Sequence, residues 1–112
     1  MTDEPMTAAG IAAVAPKAPA ELVQAAIDDA AQRTSTRAAD VVVVSAGSVT
    51  WSDGSLGCPQ PGMNYTMALV PGYRILVQAG GQVLRYHAGR RGAVQFCPQG
   101  QAVDPVAGDE AI

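Results

Sequence analysis

The stretch "YRILVQAGGQVLRYHAGRRGAVQFC", residues 73–97, constrains the fold more than any other part of the chain. Gly80 and Gly81 are adjacent and flanked by β-branched and aromatic residues, the signal of a two-residue hairpin turn. Centring the turn there sets Val77 opposite Leu84 and Ile75 opposite Tyr86, while Leu76 meets Arg85 and Arg74 meets His87. Side chains alternate across a strand, so this register gathers the apolar residues on one face and most polar ones on the other. A slip of one residue would ruin both faces. A three-residue loop at residues 89–91 would continue the pattern, with Tyr86 opposite Val94, Leu84 opposite Phe96, and Cys97 opposite Val83 on the outer face. Two independent turns then agree on which side is core.

An apolar sheet face needs a partner layer, and "PAELVQAAIDDAAQR" supplies one. Pro19 suits a first helical turn, and Leu22, Ala26, Ile27 and Ala30 recur at three- and four-residue spacing. Asp28, Asp29, Gln32 and Arg33 fall mostly on the wet side. The valines at residues 41–44 read as a strand that continues, past a kink at Gly47, through Val49 to Trp51. "YTMALV" reads as a further short strand, stopped by Pro71 and Gly72. The expected architecture is α+β, with one amphipathic helix packed on a mostly antiparallel sheet of four to five strands.

Residues 1–19 and 99–112 are rich in Ala, Gly, Pro and acids and lack aromatic anchors, so they are expected to be disordered tails around a single domain at 20–98. The 112-residue chain is 48% hydrophobic, but it has one Trp, one Phe and three Tyr. Its core is therefore thin, and a cross-link would matter. A net charge of −3 with seven basic residues, among them Arg85, Arg90 and Arg91, favours neither nucleic acid nor an anionic membrane. No apolar run approaches the length of a membrane span. "MTDEP" lacks the basic start of a signal peptide, which points to the cytoplasm, or to export if the true N-terminus is missing. An exposed sheet edge allows a monomer or a weak dimer.

The chemistry on offer is sparse. Cys58 and Cys97 fit two half-buried thiols, or a disulfide tying the Gly/Pro loop to the last strand. Closing about forty residues would stabilise by roughly 4 kcal/mol in the chain-entropy model. His87, Cys58 and Cys97 lack the spacing of a zinc site, and no other cofactor motif is present. A Cys58 and His87 pair oriented by Asp53 has almost no specificity as a nucleophile signature, and His87 reads as a solvated histidine on the outer sheet face. Asp53 and Gly54 form a turn signal. No catalytic set is assigned. "TWSDGSLGCPQPGMNYT", residues 50–66, is instead a stiff loop carrying Trp51, Leu56, Met63 and Tyr65. It suits contact with a protein or peptide, or else these side chains roof the sheet.

Two resemblances bear on this reading. The residues Trp51, Asp53, the run on to Pro59, Pro61, Gly62, Tyr65, Pro71, Gly72, Tyr73, Arg74, Tyr86 and His87 resemble the pattern of a family of small uncharacterised bacterial domains. The match runs from Glu21 to Cys97, with Ser52 and Met67 standing where members tend to have Pro and Gln. That resemblance implies the helix-on-sheet fold and no activity; several members look exported, which favours a disulfide in those members without deciding it for this chain. "GMNYTMALVPGYRILV" is similar to the loop region of potato type I serine-protease inhibitors. It would place the scissile bond within Thr66, Met67 and Ala68 and make Arg74 a brace beneath the loop. Gly72 stands where the second bracing arginine would be, and the Cys58 loop is foreign to those inhibitors.

Overall fold

A computed structural model describes residues 18–108. Helix α1 (Ala20–Thr34) is followed by a short 3-10 turn (Ala38–Asp40) and by strands β1 (Val42–Trp51), β2 (Val70–Ala79), β3 (Gln82–Gly89), β4 (Gln95–Cys97) and β5 (Ala107–Gly108). The strands form one five-stranded sheet in the order β4-β3-β2-β1-β5, with every neighbouring pair antiparallel. This is the expected α+β architecture. No helix among the described residues is long and apolar enough to cross a membrane.

Pro19 opens α1 and Ser35, in the left-handed conformation, closes it, with Thr36 N–H donating to Ala31 O at 2.9 Å. Ala26 and Ala30 are fully buried; having no bulk beyond Cβ, they let the helix axis approach the sheet closely. They pack with Ile75, Val77, Ala79, Leu84 and Tyr86, and Leu22, Val23 and Phe96 close the margin. The helix rim is less purely solvent-facing than the sequence suggests. Asp29 accepts a 2.6 Å hydrogen bond from the Tyr86 hydroxyl and pairs with Arg33 at 2.8 Å, while the Arg33 guanidinium lies 4.0 Å over the Phe96 ring. Polar groups thus clamp helix to sheet where the apolar core ends.

The β2–β3 register is the one that alternation dictates: Ile75 with Tyr86, Val77 with Leu84, Leu76 with Arg85 and Arg74 with His87. Both Gly80 and Gly81 have positive φ, 59° and 82°, as the two-residue turn requires. The next turn differs. Phe96 pairs with Tyr86, Gln95 with His87 and Cys97 with Arg85, a shift of two residues from the expected register that lengthens the loop and keeps Phe96 on the core face.

Three further expectations are corrected. The irregularity in β1 falls between Val43 and Ser45, leaving Val44 as the extra residue, and not at Gly47. "YTMALV" is not a strand: residues 65–69 are irregular, and β2 begins at Val70 and runs through Pro71 and Gly72. β3 pairing ends where Gly72 meets Gly89, so Pro71 is flanked by β1 alone and its missing N–H breaks no inner ladder. The segment expected as a C-terminal tail is docked as far as Gly108. Val103 N–H donates to Gly57 O, Val106 N–H donates to Thr50 O, both at 2.9 Å, and β5 pairs with Val49 and Thr50. The expected tail at residues 1–19 lies almost wholly outside the described residues; Ala18 is buried and donates its N–H to Ala46 O at 3.2 Å.

A candidate recognition loop braced on the outer sheet face

The sheet face opposite α1 carries Trp51, Gly72, Arg74, Arg85, His87 and Cys97, and residues 52–58 cross over it. Trp51 is fully buried there. Its ring stacks on His87 with centroids 4.4 Å apart, and its Nε1–H donates to Ala88 O at 3.0 Å. Two glycines make the slot for the indole. A Cβ on Gly57, whose φ is +73°, would strike the Trp51 ring and Val103 O, and one on Gly72 would strike Ala88 O and Trp51 Nε1. Of the two readings of Trp51, contact group or roof on the sheet, its burial supports the second, and it is the anchor beneath the loop.

His87 is also buried, 1% exposed, which corrects the expectation of a solvated histidine. Its Nδ1 lies 2.7 Å from Leu56 O, and a carbonyl can only accept, so Nδ1 carries the proton and Nε2 is bare. Nε2 has no hydrogen-bond partner among the described residues. Burial, aided by the nearby positive charges of Arg85 and Arg74, pushes the imidazole pKa down to about 4. The backbone at Leu56 adopts a positive φ of 57° in presenting that carbonyl.

The loop itself is stitched by short bonds. Asp53 Oδ1 accepts from Ser55 N–H at 2.9 Å and from Ser55 Oγ at 2.6 Å, which forms the turn that the Asp-Gly pair signals and holds the Asp53 carboxyl below its ordinary pKa. Gly54 N–H donates to Thr66 O at 2.9 Å, and Gln60 N–H donates to the Tyr65 hydroxyl at 2.9 Å. Cys58 and Cys97 form a disulfide with Cα atoms 5.8 Å apart, and both are buried. Of the open alternatives for the two cysteines, the disulfide is the one formed. With both sulfurs so engaged, neither the Cys58 and His87 nucleophile nor a thiolate zinc site exists in this state, and no group of three potential ligands converges among the described residues.

Beyond Cys58 the loop stands away from the sheet. Met63, Met67 and Leu69 are 59, 87 and 66% exposed. Tyr65 is half-buried through its tie to Gln60, and Leu56 is half-buried with its methyl groups over Gly89. Of the four residues expected as a contact surface, Met63 and Tyr65 are on it, Leu56 is at its margin and Trp51 is beneath it. Leu69 was hidden from sequence reasoning by its place in a supposed strand. Thr66, Met67 and Ala68 are all exposed. Arg74 approaches Asp104 at 3.8 Å, a carboxylate it shares with Arg85, and it makes no hydrogen bond to Thr66, Met67 or Ala68 among the described residues.

Fold and site together define a small disulfide-bearing α+β domain that holds an apolar-tipped loop away from its sheet. The chain belongs to a family described as a domain of unknown function, DUF8738, whose model matches residues 23–97. That span takes in the helix from Val23 onward, strands β1 to β4, the loop and both cysteines. No curated protein and no solved structure matches the chain.

Proposed function

We propose that this domain is a non-enzymatic binding module whose loop at residues 59–69 docks on another protein. The carrying observation is that Met63, Met67 and Leu69 stand exposed on a loop tied at its root by the Cys58 disulfide, the Trp51 anchor and the bond from Gly54 to Thr66. Apolar side chains on a short tethered segment lose less freedom on binding than the same side chains on a free chain, so more of their burial appears as affinity. Methionine adapts to irregular pockets, and the loop carries no charged side chain, which suits the dry centre of an interface. The absence of a free thiol and the shielding of the only imidazole support a non-enzymatic role. The disulfide supports a place in an oxidising compartment.

The test is site-specific photo-crosslinking with photo-methionine at position 63 or 67 and, as control, a photoreactive residue at Gln24 on the helix. A discrete partner captured from both loop positions, absent from the helix position and lost on Leu69→Asp is the expected result. Equal labelling from loop and helix removes the proposal.

A second reading, protease inhibition through Thr66, Met67 and Ala68, is favoured by one observation: Met67 projects beside a carbonyl pinned by Gly54 N–H. Incubation with subtilisin and chymotrypsin separates the two. Slow, tight loss of protease activity supports inhibition, whereas rapid cleavage after Met67 with full residual activity removes it.

A further inference from the structure

The core beneath helix α1 runs from the level of Ala46, Tyr73 and Ile75 to the hairpin at Gly80, which faces Thr34 at the helix end. At the other end of the same face Ser48 pairs with Tyr73 and Thr50 with Pro71. Alternation along β1 and β2 points Ser48, Thr50 and Tyr73 to the helix side; Tyr73 packs on the margin of the core, and beyond it no helix among the described residues covers the sheet. A cavity of about 350 Å³ opens there, lined by these residues together with Val49, Gly72, Arg90 and both residues of β5. Its size falls within the range of pockets that hold small ligands.

The donors in this cavity are uncommitted. Among the described residues, the hydroxyls of Ser48, Thr50 and Tyr73 take part in no hydrogen bond within the protein. Arg90 is the one charged residue in the lining, and it makes no ion pair among the described residues. The other arginines of the sheet are engaged on the opposite face, where Arg74 and Arg85 share Asp104. The cavity thus offers a guanidinium and three hydroxyls, with the Tyr73 and Pro71 rings as apolar walls.

We propose that this cavity binds a small carboxylic acid with an aromatic or branched apolar body, its carboxylate on Arg90 and its body against Tyr73 and Pro71. Guanidinium recognises a carboxylate through paired N–H donors, and hydroxyls supply further hydrogen bonds to the same oxygens. The site is separate from the loop at residues 59–69, and its standing does not depend on that loop's partner. The same chemistry fits a free metabolite acid or the C-terminus of a peptide.

The test is an amide NMR titration of the full chain with benzoate and, separately, with benzamide, which keeps the ring and removes the charge. Benzoate is expected to shift the amides of Ser48, Gly72, Tyr73, Arg90 and Gly108 saturably, with a dissociation constant on the order of millimolar. Benzamide is expected to bind about ten-fold more weakly or worse, the loss of one charge-assisted pairing. Arg90→Gln, at an exposed position, should bring benzoate down to the benzamide level with the rest of the spectrum unchanged. N-acetyl-phenylalanine binding more tightly than benzoate identifies a peptide terminus as the source; weaker binding identifies a free acid. Equal affinity for benzoate and benzamide, an unchanged response in Arg90→Gln, or no saturable shift overturns the proposal.

Discussion

The indole of Trp51 lies against the imidazole of His87, centroids 4.4 Å apart, on the face of the sheet that α1 does not touch. This pair gives a domain of limited size a second, smaller buried layer. The indole ends β1, the imidazole belongs to β3, and residues 52–58 fold back over both. The same layer contains the disulfide, so the loop's root is fixed by a stack, a hydrogen bond from His87 and a covalent link together. The exposed part of the loop thus springs from a root that is fixed by the chemistry beneath it.

That arrangement makes stability depend on pH in a defined window. His87 binds its proton at about pH 4 in the folded protein and at about pH 6.5 when unfolded. Between those values the unfolded chain holds more protons, so acidification favours unfolding. The loss amounts to about 3 kcal/mol across the window and stops below it. Asp29, whose carboxyl is held below its ordinary range by Arg33 and then by Tyr86, adds its own loss only at lower pH still. Urea unfolding at pH 7, 5.5 and 4 checks this. His87→Phe, which keeps an aromatic ring on Trp51, should flatten the slope between pH 6.5 and 4 and leave the lower one.

Two loop glycines of positive φ give a contrast. Gly57 has φ +73° and no room for a Cβ, whereas Gly62 has φ +80° with open space around it. Gly57→Ala combines backbone strain with a collision against Trp51 and should cost about 3 kcal/mol or more. Gly62→Ala carries the strain alone, about 1 kcal/mol. Thermal unfolding of the two variants measures the difference. Equal effects would mean that the indole is not held against Gly57.

Asp29 and Tyr86 form the clearest polar link between helix and sheet, with the hydroxyl donating at 2.6 Å. Burial and the neighbouring carboxylate both raise the Tyr86 pKa, so the phenol stays protonated and the bond persists across the neutral range. Tyr86→Phe leaves the core filled and removes the donor, for an expected loss of about 1 to 2 kcal/mol. Asp29→Asn should cost less, since its amide oxygen still accepts. A double-mutant cycle, read by urea unfolding, should return a favourable coupling between the two.

The hairpin at Gly80 and Gly81 was legible because alternation and turn chemistry agree, and only one register satisfies both. The next turn was not, for a reason of symmetry. Val94 and Phe96 are both apolar and two residues apart, so a shift of two preserves every face assignment. Alternation is blind to such a shift, and the residues between supply no competing turn signal. His87 was misread because its neighbours on the outer face, Arg74, Arg85 and Gln95, are polar. Its cover comes from Leu56 in the loop and from the stacked Trp51 ring, through contacts that leave no local period. Pro71 and Gly72 read as a stop; in the fold Gly72 is a strand residue that gives Trp51 room. Of the candidate contact residues, loop composition marks Met63 and Tyr65, which are exposed and half-buried, while Trp51 roofs the outer face, the alternative that its aromatic bulk left open.

The disulfide between Cys58 and Cys97 spans 39 residues of sequence and joins the loop's root to the last long-range strand of the meander. In the chain-entropy model, opening it gives the unfolded chain about 4 kcal/mol of freedom. A domain of this size has only a few kcal/mol to lose, so the replacement Cys58→Ala with Cys97→Ala should shift most molecules to the unfolded state near 37 °C. Urea unfolding at 15 °C, where residual stability is greatest, measures the change directly. Limited proteolysis gives a second, local readout: the double variant should be cut within residues 59–69 well before other sites, and the oxidised protein should resist. Both sulfurs are buried, so thiol reagents should find no reactive group in the native protein, or in the denatured protein until a reductant is added. A stability change under about 1 kcal/mol, well short of the chain-entropy figure, would show that the Trp51 and His87 layer holds the loop without the covalent link.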